Sequence, residues 1–373
     1  MKNTLHISPK ETINAFLLFF VIHTNQVAVG IHGFQRLIFE DAKHDAWISV
    51  ILAGLLTHIV AVFMLKTLEI YGTQDLYGIH LDLFGQWIGN FINALYVLYC
   101  SAAFFTILQN YIEVIQTWVF HDLNFKFIAA SILLLVCYAF LGGIRVIIGV
   151  TFFSFVFAIW LFPMLSFPLQ YTEFRDVLPF LENDFLDILK GVHSMTLTIV
   201  GFEILNIIYP YVKEKKKVSK FLHLGLLVTT LMYLSVMLVS ITFFSEGQLN
   251  KTIWATLSLF GVLKLPFIER TELIAVCYWL LIILPNLCLY LWAAHRGITR
   301  IVKVSASKFA WAFISTIFIG CILVESRTQI NSLNTYFSQV AFYIVFVYPI
   351  FLFLIALIKK KFTAKRRNLN EEG

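Results

Sequence analysis

Residues 186–211, LDILKGVHSMTLTIVGFEILNIIYPY, form an apolar stretch of membrane length whose middle is polar: His193, Ser194, Thr196, Thr198, Gly201 and Glu203. An earlier apolar stretch is interrupted in the same way by His23-Thr24-Asn25-Gln26 and Val27-Ala28-Val29-Gly30. Polar groups inside a membrane are costly, so they mark cavities, ligands or ion paths. The chemistry these residues suit is binding. A helix that breaks near Thr24–Gly30 begins its second half with unpaired N–H groups and a partial positive charge, which suits a carboxylate. A second break near Thr196–Gly201 offers a carbonyl end that suits an ammonium group. Together they predict a site for an α-amino acid, with selectivity from facing aromatics such as Tyr99, Phe104 and Tyr278. Glu203 has two readings, as a partner of a ligand amine, cation or proton, or as a carboxylate bonded to backbone N–H groups freed by the break.

The elements that position these residues follow from composition. Of 373 residues, 59% are hydrophobic and 13% charged, against about 25% charged in soluble chains. A hydrocarbon core of ~30 Å needs about 20 apolar residues per helix. Windows of that size predict ten spans, at 11–38, 45–69, 87–119, 126–146, 147–168, 186–211, 218–244, 271–295, 307–325 and 336–358. Most of the 28 basic residues then share one side, including Lys10, Lys66, Arg145, the lysines of 213–220 and the tail 359–373. The other side carries Glu173, Asp176, Glu182, Asp184 and Asp187. The positive-inside rule places both termini in the cytoplasm. It also makes the basic clusters neighbours of anionic membrane lipid rather than of nucleic acid.

Ten spans divide into 11–168 and 186–358, and five is odd, so the second set enters from the opposite side. This is the arithmetic of a 5+5 inverted repeat within one membrane domain, 1–373, whose corresponding first helices are both interrupted. Residues 11–38 as one straight helix would measure about 42 Å, longer than the core; two half-helices fit, and so does one tilted helix. Residues 70–86 and 253–262 read as short helices on the membrane surface.

No catalytic or phosphate-binding motif is present, so an enzyme is not expected, nor a cofactor. Cys100, Cys137, Cys277, Cys288 and Cys321 lie in apolar spans with no C-x-x-C pair, which predicts small hydrophobes and no metal site. His58 and His193 read as buried, hydrogen-bonded core residues. Gly85 and Gly89 have G-x-x-x-G spacing where a helix contact is possible. The start, MKNTLHISPKETINAF, lacks a cleavage site and reads as the lead into a retained helix.

Several segments in order carry a resemblance. They are Asp45-Ala46-Trp47-Ile48, Thr196–Glu203 (TLTIVGFE) with Tyr209-Pro210-Tyr211-Val212 and the lysines, Ile253–Phe260 (IWATLSLF) leading to Phe267-Ile268-Glu269-Arg270, and Tyr290–Ala294 (YLWAA). Along nearly its whole length the chain resembles the B subunits of the nutrient germinant receptors of bacterial endospores, in the amino acid–polyamine–organocation transporter superfamily. The resemblance implies a LeuT-like all-α fold and a sensing subunit in the spore inner membrane. It further implies a membrane A subunit and a lipoprotein C subunit as partners, and a nutrient held in a permease-like pocket. Carried over by position, that pocket maps to Thr24, Asn25, Gln26, Ala28 and Gly30 and to Thr196, Leu197, Thr198 and Gly201. The other reading is an amino-acid permease of growing cells. Relatives often have Gly-Ala-Gly where this chain has Ala28-Val29-Gly30, which leaves less room for backbone approach. Helix 5 also lacks the lysine that some proton-coupled relatives carry.

Overall fold

In a computed structural model the described residues are 7–371, except 121, 173–174, 176–177, 179–180 and 265–269; beyond 362 only backbone is described. The expectations for Glu173, Asp176 and Phe267-Ile268-Glu269 therefore lie outside the described residues.

The long helices are α1 (Phe16–Gln26), α2 (Phe34–Ala42), α3 (Ala46–Tyr71), α4 (Leu76–Trp118), α5 (Phe125–Leu141) and α6 (Ile144–Ala158). They continue with α7 (Phe185–Ser194), α8 (Val218–Phe243), α9 (Ala255–Phe260), α10 (Thr271–Ile301), α11 (Ala306–Leu323), α12 (Arg327–Ala341) and α13 (Tyr348–Glu371). Among the described residues, seven helical segments are long and apolar enough to cross a membrane, and α1 and α5 are shorter apolar helices. Beyond α7, residues 196–211 are broken into short turns. Apolar side chains such as Leu55, Trp87, Phe91, Leu98, Phe127, Tyr138 and Phe351 point outward, as they must where the solvent is lipid.

With no hydrophobic drive between helices in lipid, small residues and polar contacts set the packing. Where α1 meets α8, Gly225 sits so close that a Cβ would lie 3.1 Å from the Phe19 carbonyl and from Ile22 Cβ. At the start of α3, Asp45 is fully buried. Its carboxylate accepts from Leu181 N (2.8 Å), Asn183 N (3.0 Å) and Asn183 Nδ2 (3.1 Å) and so ties down the loop before α7.

Two expected surface helices pack inward. Residues 76–84 form the first part of α4, which turns at Gly85. Tyr77 is buried and donates to Ala293 O (2.9 Å), while His80 lies between Asn93 (2.7 Å) and Tyr348 (2.7 Å). The G-x-x-x-G pair serves this turn, because Gly89 packs on the His80 and Leu81 backbone. In α9, Ala255, Thr256, Leu257, Leu259 and Phe260 are buried. The last expected helix begins earlier, at Arg327, and passes through a π-helical turn at Phe342–Val347.

The first and the 185–211 segments both lose helical geometry in mid-course. α1 ends at Gln26, Val27 and Ala28 are non-helical, and a 3₁₀ turn covers Val29–His32 before α2. In the other segment a turn at Thr196–Ile199 ends at extended Val200, and Gly201 takes φ +119° before a 3₁₀ turn at Phe202–Ile204. The left-handed region is open to glycine at little cost. Here a Cβ would also run into the Asn25 carbonyl.

The face bearing Lys213–Lys217 is closed by the residues before α1. Ile13 and Val212 form a parallel bridge, with Ile13 N donating to Tyr211 O and Lys213 N to Ile13 O, both 2.9 Å. Ala15 N donates to Glu214 Oε2 (2.8 Å), and Arg145, from the α5–α6 turn, donates to Pro9 O (2.9 Å). The Ala15 hydrogen bond holds the Glu214 carboxyl below its ordinary 4.5, against the opposing effect of burial and helped by Lys217.

Gly201→Ala is expected to destabilise the protein by about 1–3 kcal/mol from backbone strain alone, with the Asn25 clash added, read as a lower thermal unfolding midpoint. For Glu214 the folded value is depressed, so its contribution is complete above pH 4.5 and fades as pH falls through the lowered value. Hydrogen exchange at the Ala15 amide, corrected for intrinsic rate, should speed up only below that pH. In Glu214→Ala it should be fast at neutral pH.

Candidate ligand site

The two breaks lie against each other and brace each other. Asn25 Nδ2 donates to Gly201 O (2.6 Å) and Gln26 Nε2 to Ile199 O (2.8 Å). From α8, the Tyr233 hydroxyl lies 3.2 Å from both Gln26 O and Thr198 O and shares its proton between them. From α10, Trp279 Nε1 reaches Ala28 O (3.2 Å) and Asn286 Nδ2 reaches Val27 O (3.4 Å). Side chains thus replace the helical partners these carbonyls lost.

Between the breaks a cavity of about 540 Å³ opens toward the face opposite Lys213. Asn25, Gln26, Ala28, Gly30, Leu197 and Thr198 line it, and Tyr290 does so from α10. Nearer the mouth stand Arg36, Glu40, Asp41, His193, Ser194, Trp254 and Arg327. Asp41 accepts from the Ser194 hydroxyl (2.5 Å), while Arg327 pairs with Glu113 and lies 5.3 Å over the Trp254 ring. Both signs of charge therefore meet at the mouth. At the wall, Asn25 (2% exposed) and Gln26 (1%) each use the amide nitrogen on the other break, so Asn25 Oδ1 and Gln26 Oε1 have no protein partner.

The remaining site candidates from the sequence lie elsewhere. Thr24 faces the back of α1 and lines a second, apolar cavity. Thr196 is buried, and its hydroxyl donates to His193 O (2.6 Å). Gly201 packs on the Asn25 backbone. Glu203 and Tyr99 are buried behind the cavity wall: Glu203 Oε1 accepts from Tyr99 (2.7 Å) and Tyr290 (2.9 Å), and Oε2 accepts from Gly201 N (2.6 Å). Of the two readings of Glu203, this geometry matches the backbone-bonded carboxylate. Phe104 packs edge-on against Phe313, and Tyr278 is partly exposed against Trp160, so neither faces the cavity.

His193 is exposed at the cavity rather than buried, because α7 ends there, and His58 is half-buried against His223 (2.8 Å). Among the described residues the buried histidines are instead His23, His32 and His80. Sequence reasoning missed the α12 wall, where Asn331, Asn334, Thr335, Ser338 and Gln339 face the cavity. Their i, i+3, i+4, i+7, i+8 spacing is a polar helical stripe, legible in the sequence had the last helix been started at 327 instead of 336.

A family described as "Spore germination protein" matches residues 12–330. Spore germination protein GerQB of Bacillus cereus is 36% identical over 349 residues, covering 94% of this chain and 97% of its own. Spore germination protein YndE of Bacillus subtilis is 23% identical, over 95% and 99% of the two chains. Spore germination protein B2 of Bacillus subtilis is 23% identical, over 91% and 94%. The chain thus belongs to the spore germination protein family, as a multi-pass integral membrane protein.

Proposed function

We propose that this protein is the ligand-sensing membrane subunit of a spore nutrient receptor and holds an amino acid between its two interrupted segments. The observation that carries this reading is the pair of buried, unpartnered amide oxygens, Asn25 Oδ1 and Gln26 Oε1, at the wall of a cavity between the breaks. Buried acceptors without donors are costly, and an ammonium group would satisfy both. Asn25, Gln26, Ala28, Gly30, Leu197 and Thr198 are the direct contacts in this reading. Gly201, Glu203 and Tyr99 hold the second break in shape, and Tyr290 joins that support to the cavity. Thr24 and Thr196 support the segments without touching the ligand.

In this reading the ten spans form a 5+5 inverted repeat of 11–168 and 186–358, with both termini and the basic tail 359–373 in the cytoplasm. The protein sits in the spore inner membrane with a membrane A subunit and a lipoprotein C subunit. Sensing works by population shift: the ligand binds better to the packing in which the breaks are braced as here, and the partners read that packing. A permease of growing cells is the second reading. It is favoured by the contrast between a cavity open on one face and the Ile13–Val212 closure on the other. Uptake of labelled amino acid by the chain alone separates the two.

Gln26→Ala and Asn25→Ala should each raise the nutrient concentration needed for dipicolinate release by about 10- to 100-fold, the equivalent of losing a hydrogen bond to a charged group. Both substitutions also remove a brace of the second break, so receptor level in spore membranes, followed by immunoblot, separates a lost ligand contact from a lost assembly. An unaltered threshold in variants that assemble normally would sink the pocket assignment. By contrast, Tyr278→Phe should leave the threshold within about twofold, since that side chain does not line the cavity.

A further inference from the structure

A second cavity of about 290 Å³ lies behind the first break, between α6 and α8. Its lining is mainly apolar and includes Phe155, Ile159, Phe162, Leu231, Met232 and Ile282. Ile159 (53% exposed), Phe162 (41%) and Leu231 (51%) are also among the outward apolar residues, so the mouth opens sideways onto the surface that meets lipid. Counted along α8 at 1.5 Å per residue, Val228 to Ser235 sit ~15–25 Å from its basic end, within a ~30 Å hydrocarbon core. Water does not enter a cleft of this kind, because apolar cavities stay dry and take up apolar molecules.

Two hydroxyls of the wall, those of Ser154 and Thr24, are unsatisfied. Ser154 is 3% exposed, and its Oγ has no partner, although helical serines in lipid ordinarily bond back to their own helix. The Thr24 hydroxyl on the opposite wall makes no hydrogen bond either, whereas His23 is engaged with Thr229 (3.0 Å), Thr256 with Ile31 O (2.6 Å), Ser235 with Leu231 O (2.8 Å) and Trp279 with Ala28 O (3.2 Å). A plain hydrocarbon chain would leave Ser154 unpaired. We propose that this cavity is a binding site for a membrane-dissolved amphiphile, an apolar body with a single hydrogen-bonding group that meets Ser154 Oγ. The site is separate from the nutrient cavity and does not depend on that assignment. The end of α1 and the unwound segment after it are nonetheless their common wall, with Thr24, Val27 and Ile31 on this side and Asn25, Gln26, Ala28 and Gly30 on the other.

The test uses the full-length protein in vesicles of phosphatidylglycerol and phosphatidylethanolamine, photolabelled with a diazirine-bearing octanol. In parallel, a phospholipid carrying the diazirine in its acyl chain is used, and labelled residues are mapped by mass spectrometry. Saturable octanol labelling of residues 154–165 and 228–235, competed by unlabelled octanol, is expected. Ser154→Ala should weaken it roughly 2- to 10-fold, the range of one neutral hydrogen bond. Ala158→Phe, which fills the cavity from α6, should abolish it while labelling around Phe91 and Phe351 persists. Three results would overturn the proposal: labelling that does not saturate, equal labelling of these residues by the acyl-chain probe, or labelling indifferent to Ser154→Ala.

Discussion

A main-chain amide inside a membrane must find its hydrogen bond within the protein, and the interrupted segments are arranged around that demand. A regular helix meets it without help, and two breaks forfeit several bonds each. Here the losses are repaired crosswise. Asn25 and Gln26 on one segment serve the Gly201 and Ile199 carbonyls on the other. Tyr233, Trp279 and Asn286 serve carbonyls of Gln26, Val27 and Ala28, and Glu203 takes the Gly201 amide. The breaks are therefore stable only together, and only while α8 and α10 stand beside them. A substance that alters one break necessarily loads the other.

This mutual repair also explains why orphan atoms remain where they do. A carboxamide has a donor end and an acceptor end, and Asn25 and Gln26 commit their donors to the backbone. Their acceptors are left without a protein partner, on two residues that line the cavity. The polarity of the site follows from which half of each amide the scaffold needs. In the proposed reading this suits a ligand that brings hydrogen atoms, and Arg36, Glu40, Asp41 and Arg327 place both signs of charge along the same cavity.

Much of the arrangement was legible in the sequence because lipid is a severe selector. His23-Thr24-Asn25-Gln26 and the polar middle of 186–211 stood out against apolar surroundings, and both breaks fall within the ranges read from them, Thr24–Gly30 and Thr196–Gly201. Polar residues that repair backbone were harder to read. Tyr233, Trp279 and Asn286 sit singly in long apolar helices, and one tyrosine or asparagine carries no signal of the carbonyl it serves. Burial of α9 was also hidden, since its amphipathic look reflects Thr256 bonding to Ile31 O rather than a water-facing side. Phe104 and Tyr278 misled because a helical position fixes a face only once neighbouring helices are placed.

The strand between α1 and α2 has a cavity on each side, and the two differ in kind. Ala28 and Gly30, with Asn25 and Gln26 at the end of α1, meet a polar space open to one membrane face, whereas Val27 and Ile31, with Thr24 of α1, meet an apolar one open to lipid. A helical segment here would bond its own carbonyls and present a stiff surface to both. The unwound one depends on Tyr233, Trp279 and Asn286 for its position, and each of these sits on a helix that also packs elsewhere. A small shift of α8 or α10 would move the strand without breaking a helix, and the reverse holds as well. Conformational change is thus cheapest where the backbone is held by side chains rather than by its own ladder. In this protein that place is the strand that both cavities share.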